Sequence, residues 1–321
     1  MELMSSCRPS TSEWIFRKME TLEVIRRTLA TSLNLDESEK SSHWKFYTKQ
    51  FVIDDNQRIK GISGFSSRSK AFPFSGAIHE RAQKRTFPNF EEAKKSRFHA
   101  LAKHICKLQE RAVDVCVIRH VFTFMLLEEF SLLKKNLTCC VIGDGQSNFI
   151  SIASAGKFFD KLISINLGEV LLSDLDLLEK LPLQPRNVRL AQGKSELKTL
   201  LKDKHVNIIL VRAHDKNLLE GMNIDLFINM ASFQEMTNQL ISQYFQVIKS
   251  NKATLYCCNR EVKVLRGGER LEFDQYPWGD AEILVDEGCP WHKYFYDFRS
   301  PRLFRRLSYD GSLRHRLARF K

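Results

Sequence analysis

Beginning at Leu137, five short and unbroken apolar runs alternate with helix-compatible segments, a pattern that few fold classes accommodate. The runs are LTCCVIG from Leu137, KLISINL from Lys161, VNIILVRA from Val206, IDLFINM from Ile224 and ATLYCCN from Ala253. None shows the period-two alternation of a half-exposed strand, so each reads as a strand buried on both faces. Between them, Ser147 to Phe159, Val170 to Leu181, Ser195 to Lys202 and Phe233 to Lys249 suit helices. Parallel neighbours need long crossovers, and helices supply them, so the predicted fold class is α/β: an open parallel sheet with helices on both faces.

The first ~110 residues carry no such period. FVI at Phe51 to Ile53, the turn-forming DDNQ at Asp54 to Gln57 and then RIKGISGF predict a small hairpin. Asn89 is placed to cap a helix whose first turn holds Glu91 and Glu92, and Phe98, Leu101, Ile105 and Leu108 recur at helical spacing. A second, more apolar helix is expected over Val113 to Leu133. No apolar run approaches the ~18 to 20 residues that span a bilayer, and the N-terminus lacks a secretory pattern, so a cytoplasmic protein is expected. The formal charge of +12 favours anionic partners such as phosphates, nucleotide sugars, RNA or an acidic lipid surface. Of eight cysteines, Cys139-Cys140 and Cys257-Cys258 are adjacent pairs on predicted strands, where neighbours point to opposite faces and cannot share a metal. With no CxxC or HExxH motif, no metal site is predicted.

The first strand of the alternating region ends in Gly143-Asp144-Gly145-Gln146-Ser147 and runs into a helix. Glycines there let backbone approach a ligand closely. A dinucleotide site wants GxGxxG and an acid ~20 residues on; here Ser147 lies beyond the second glycine, and KLISIN ends in Asn166. A pyrophosphate cradle is therefore disfavoured. S-adenosylmethionine, which has no phosphate, needs only a glycine turn and a polar residue for its ribose.

From about Leu137 onward the sequence resembles the sugar O-methyltransferases, a branch of the class I S-adenosylmethionine-dependent methyltransferases. The resemblance lies in VIGDGQS at Val141 to Ser147, SINLGEVLL at Ser164 to Leu172, IDLFINMASFQEM at Ile224 to Met236, and the later YCCNR, DQYPWGD, DEGCPWH and HRLA. It implies a Rossmann-like class I methyltransferase sheet over residues 116–321, preceded by a smaller mixed or helical cap, residues 1–115, that shapes the acceptor pocket. It further implies methyl transfer from S-adenosylmethionine to a hydroxyl of a nucleotide-linked, lipid-linked or glycan-precursor sugar. Val141 and Asn166 stand where the family carries acids, which predicts weaker cofactor binding. RNA or another small molecule as acceptor, or an inactive scaffold, are the alternatives.

The expected cofactor-binding residues are Gly143, Asp144, Gly145, Asn166, Asn229 and Met230. Asn229 also suits a helix cap. A hydroxyl acceptor must lose its proton, so a base is expected in reach. Glu235, in a predicted first helical turn, and His292 of CPWH are the two candidates, with His292 preferred because late loops build the acceptor side. Tyr276, Trp278 and Trp291 are expected to form an aromatic wall for the sugar, or else core. Asp274, Asp280, Asp286 and Glu287 form an acidic cluster that reads as a solvated loop, with Mg2+ as its alternative. The Arg-rich end from Arg299 reads as a solvated basic helix face, or as a binder of sugar-linked phosphate.

Overall fold

The computed structural model describes residues 22–60, 75–184, 187–297, 305–308 and 311–321. Eight strands form the main sheet: β1 (Thr138–Ile142), β2 (Lys161–Asn166), β3 (Val188–Leu190), β4 (Ile208–Arg212), β5 (Leu226–Met230), β6 (Thr254–Arg260), β7 (Glu282–Gly288) and β8 (Leu313–Arg319). Their order is β7-β8-β6-β5-β1-β2-β4-β3. All five predicted strands are present. Every residue of β2 is buried, as an apolar run between two helical layers requires.

Two hydrophobic clusters lie on opposite faces of the sheet. Cys139, Val141, Leu162, Ile228 and Cys258 belong to one, and Cys140, Ile142, Ile163, Phe227 and Cys257 to the other. The adjacent cysteines therefore do split between faces. The first cluster runs on without a break into Leu22, Phe98, Ile105 and Val121, so the N-terminal helices and the sheet share one core.

Several elements differ from expectation for local reasons. Asn89 makes no capping bond; Ser96 does, accepting from the His99 amide at 3.2 Å, and divides the predicted helix into Phe90–Lys95 and Arg97–Leu108. Asp114 caps Val115–Glu129 through the amides of Cys116 and Val117. Thr237 starts the helix Asn238–Ser250, which leaves Phe233–Glu235 as a separate 3-10 turn. Glu235 therefore does not stand in the first turn of that helix. The hairpin forms as Val52–Ile53 paired with Ile59–Lys60; its predicted continuation through Gly61 to Phe65 lies outside the described residues.

The basic C-terminal stretch is corrected most. Arg299 and Arg302 lie outside the described residues, but Leu313–Arg319 is a strand, antiparallel to β6 on one side and β7 on the other. Leu313, His315, Leu317 and Ala318 are buried, and Arg314 and Arg316 are neutralised rather than solvated. Their partners are Asp274 and Asp286: Arg314 Nε to Asp286 is 2.5 Å, Arg316 Nη2 to Asp286 2.7 Å and to Asp274 3.0 Å. Glu287 meets His315 Nε2 at 3.3 Å. Three of the four acids read as a solvated loop thus hold basic side chains, and Asp280 is exposed.

Candidate functional site

β1 is flanked by β2 on one side and β5 on the other, so the chain leaves it in one direction and later crosses back to the other. Ligands in open α/β sheets bind beyond the carboxyl ends of strands at such a reversal. A cavity of about 600 Å3 lies there, within the range of small-molecule sites. The ends of β1, β2 and β5 form its floor through Gly143, Asp144, Gly145, Asn166 and Met230.

The glycine turn is shaped by conformation and by close approach. Gly143 and Gly145 both have φ of 73°, and Ser147 follows at 49°. A Cβ on Gly143 would overlap the Ser232 hydroxyl and lie 2.6 Å from the Ser232 Cβ, so only glycine lets β1 pass the end of β5. Asp144 bends back to cap the following helix, accepting the amides of Phe149 and Ile150 at 2.9 Å each. Burial pushes its carboxyl up to about 6, against the pull of those amides and of Arg111, so it is mostly ionised at neutral pH. The amides at this helix start are thereby taken by the protein's own carboxylate.

Asn166, at the end of β2, is buried; its Oδ1 accepts the Leu167 amide at 3.2 Å and its Nδ2 has no hydrogen-bond partner among the described residues. Asn229 is not in the cavity wall. It is fully buried, donates to the Ile142 carbonyl at 3.1 Å and accepts the Phe233 amide at 3.1 Å, which makes it the strand-end cap and not a ligand contact.

Both base candidates border the cavity. Glu235 is one-fifth exposed and 3.7 Å from His43 Nε2. Burial pushes its carboxyl up to about 8, although Arg260 and Lys263 pull it down. His292 is buried, and that burial, with Arg119 and Arg260 nearby, drives its imidazole well below the ordinary range. Burial thus shifts the two in opposite directions, Glu235 upward and His292 downward.

The predicted aromatic wall is elsewhere. Tyr276 and Trp278 pack with Phe245 and Phe273 in the core, where Trp278 Nε1 donates to the Phe273 carbonyl at 2.9 Å. Trp291 stacks on Phe122 with ring centroids 5.5 Å apart. Trp44, Tyr47 and Tyr244 line the cavity in their place. Trp44 and Tyr47 come from the N-terminal helix Ser42–Thr48, with His43 beside them. In the HWKFY run His43 and Tyr47 stand four positions apart and Trp44 and Tyr47 three, spacings that share one helix face, a signal that was present in the sequence.

Four contacts clamp this N-terminal segment to the sheet edge. Asp36 accepts the amides of Gly168 at 2.7 Å and His214 at 3.0 Å; Lys40 meets Glu169 at 2.6 Å; Lys216 meets Glu39 at 2.7 Å. Ser41 Oγ also donates to the Glu235 carbonyl. The segment thus roofs the cavity and touches the backbone of its carboxylate.

No family model and no curated protein sequence matches the chain. Solved structures do. A Thermoplasma acidophilum protein, number 1320, matches over 70% of this chain and 98% of its own, at 10% identity and a TM-score of 0.40. A SAM-dependent methyltransferase from Anabaena variabilis matches over 81% and 100%, at 9% identity and 0.39. Haemonchus contortus phosphoethanolamine N-methyltransferase 2, in complex with S-adenosyl-L-methionine, matches over 44% of this chain and 28% of its own, at 15% identity and 0.29.

Proposed function

We propose that the chain is an S-adenosylmethionine-dependent methyltransferase of class I type that methylates a hydroxyl of an anionic, nucleotide-linked or lipid-linked sugar, with Glu235 as general base. The observation that carries this reading is the turn at Asp144. Its carboxylate caps the helix start that a pyrophosphate would otherwise occupy, and it leaves negative charge beside the cavity. That arrangement opposes a dinucleotide and suits a cationic ligand without phosphate. The orphaned Asn166 Nδ2 supplies the remaining fit, a buried donor at the strand end where ribose hydroxyls are held in such sheets.

S-adenosylmethionine, when bound, supplies a methyl group on a positively charged sulfur. Gly143 and Gly145 allow close backbone approach to it, Asn166 holds its ribose, and Met230 offers an apolar edge. On the acceptor side Trp44, Tyr47 and Tyr244 present ring faces for a sugar, and Arg119, Arg260 and Lys263 favour one bearing phosphate. Glu235 receives the hydroxyl proton. A carboxylate with its affinity raised to about 8 is a far stronger base than an ordinary one, and most of the acceleration comes from holding both substrates in line.

The test is a labelled-methyl transfer screen over nucleotide sugars and lipid-linked sugar precursors, run with wild type and Glu235→Gln. Transfer to a sugar phosphate, lost in Glu235→Gln, supports the reading. Transfer confined to RNA, or none to any acceptor despite cofactor binding, refutes the substrate assignment.

A further inference from the structure

Cys258 lies within β6 and turns to the sheet face opposite that of Cys257. There it meets two residues of the CPWH corner. The thiol sulfurs of Cys258 and Cys289 and a ring nitrogen of His292 all lie within 4.8 Å of one another, and all three residues are buried. Cys258 Sγ and His292 Nδ1 are 3.9 Å apart. An ion with zinc–sulfur bonds of about 2.3 Å and zinc–nitrogen bonds of about 2.0 Å in tetrahedral array sets S···N near about 3.6 Å and S···S near about 3.8 Å. The three atoms thus need to draw together by about 1.2 Å at most.

Their supports are rigid. Cys258 is held in the sheet between its pairings with β5 and β8. The Cys289 amide donates to the Leu313 carbonyl at 2.8 Å, and Trp291 is fixed by its stack on Phe122, with 8° between the rings. Ligands held by sheet and packed corner are positioned in advance, as metal sites require. Charge agrees as well: two thiolates, one neutral imidazole and a divalent ion sum to zero, a balance that a buried location tolerates. Thiolate and imidazole donors select zinc over the hard, oxygen-seeking Mg2+ and Ca2+.

We propose that Cys258, Cys289 and His292 bind one Zn2+ ion through two thiolate sulfurs and the imidazole Nδ1. Binding releases the two thiol protons to solvent, with no redox change. Three protein ligands leave the fourth tetrahedral position to water or to a group from the adjoining cavity, which His292 borders. As a ligand, His292 is not the proton acceptor, which leaves that role to Glu235. The metal site does not depend on the methyl-transfer reading.

The test uses the full chain, expressed with zinc supplementation, desalted, and measured for metal per chain by plasma mass spectrometry. About one zinc is expected, and Co2+ exchange should give a thiolate-to-cobalt charge-transfer band with strong tetrahedral d–d bands. Cys289→Ser and His292→Ala should each weaken metal affinity by more than about 100-fold, whereas Cys257→Ser, on the other face, should retain it. Circular dichroism checks that each variant is folded. If a ligand variant fails to fold, the wild-type metal count and cobalt spectrum decide alone. Reduced wild type with less than about a tenth of an equivalent of zinc and no cobalt bands overturns the proposal, as does a folded Cys289→Ser with an unchanged spectrum. A Cys258 to Cys289 disulfide that takes up no metal after reduction overturns it equally.

Discussion

Replacing Gly143 with alanine tests the glycine turn on which the cavity floor is built. The new methyl group faces two separate penalties. Backbone at φ of 73° is left-handed, a conformation that costs an L-residue about 1–2 kcal/mol. The Cβ also overlaps Ser232 Oγ and stands 2.6 Å from Ser232 Cβ, and forcing apart a packed contact of this kind costs about 1–3 kcal/mol. Gly143→Ala should therefore lose about 2–5 kcal/mol in urea unfolding, as a lower midpoint at unchanged slope. The second penalty is separable because its partner is one side chain. Ser232→Ala removes the hydroxyl but leaves Cβ facing Cβ, so it should relieve the overlap only in part. Ser232→Gly leaves the Ser232 Cα at 4.0 Å, an ordinary contact, and the double variant should recover about 1–3 kcal/mol while the backbone penalty remains. Strict additivity of Gly143→Ala and Ser232→Gly refutes the proposed close approach of β1 and β5, and wild-type stability in Gly143→Ala refutes the strain as well.

Glu235, with its affinity raised to about 8, should make kcat/KM rise with pH through that value, and Glu235→Gln should lose about 10²-fold or more; a flat profile between pH 6 and 9 contradicts its role. Because the folded carboxyl binds its proton more tightly than the unfolded one, the native state holds the extra proton between its ordinary range and about 8, so this group lowers stability as pH rises across that window. Glu235→Gln should flatten that decline in pH-dependent melting, and an unchanged slope argues against it. Asn166→Asp should tighten S-adenosylmethionine binding by about 1 kcal/mol, since a carboxylate keeps the Leu167 amide and gives ribose hydroxyls a charged acceptor in place of the Nδ2 donor; unchanged binding on titration removes Asn166 from the ribose site. Asp36→Ala strands the amides of Gly168 and His214 and should cost about 2–5 kcal/mol, with faster hydrogen exchange across residues 33–48; unaltered exchange there means that Asp36 does not hold the roof.

The parallel part of the sheet was legible because β1, β2, β4, β5 and β6 are buried on both faces and show it as unbroken apolar runs. β3 was not, since three residues at a sheet edge carry no pattern. β8 was misread because its arginines suggest solvent, and their partner Asp274 lies 40 residues from Arg314. Local sequence cannot state such a pairing. The same limit applies to the site. The Gly143 turn and Glu235 announce themselves through strand and helix boundaries, whereas Trp44 and Tyr47 reach the cavity only because Asp36, Lys40 and Ser41 dock their segment on residues more than 120 positions away. Tyr276 and Trp278 show the converse: aromatic chemistry suits a sugar wall and a core equally, and the packing of Phe245 against both puts them in the core.

Titration calorimetry of the purified chain with S-adenosylmethionine, beside Gly145→Val, bears most directly on the proposed cofactor site. Gly145 sits at φ of 73° in the cavity floor, so a β-branched side chain there opposes the backbone conformation and intrudes on the ligand. Saturable binding at one site in wild type, abolished in a Gly145→Val protein whose circular dichroism is unchanged, is the predicted result. No binding to wild type, or equal binding to both proteins, contradicts the assignment of this cavity to S-adenosylmethionine.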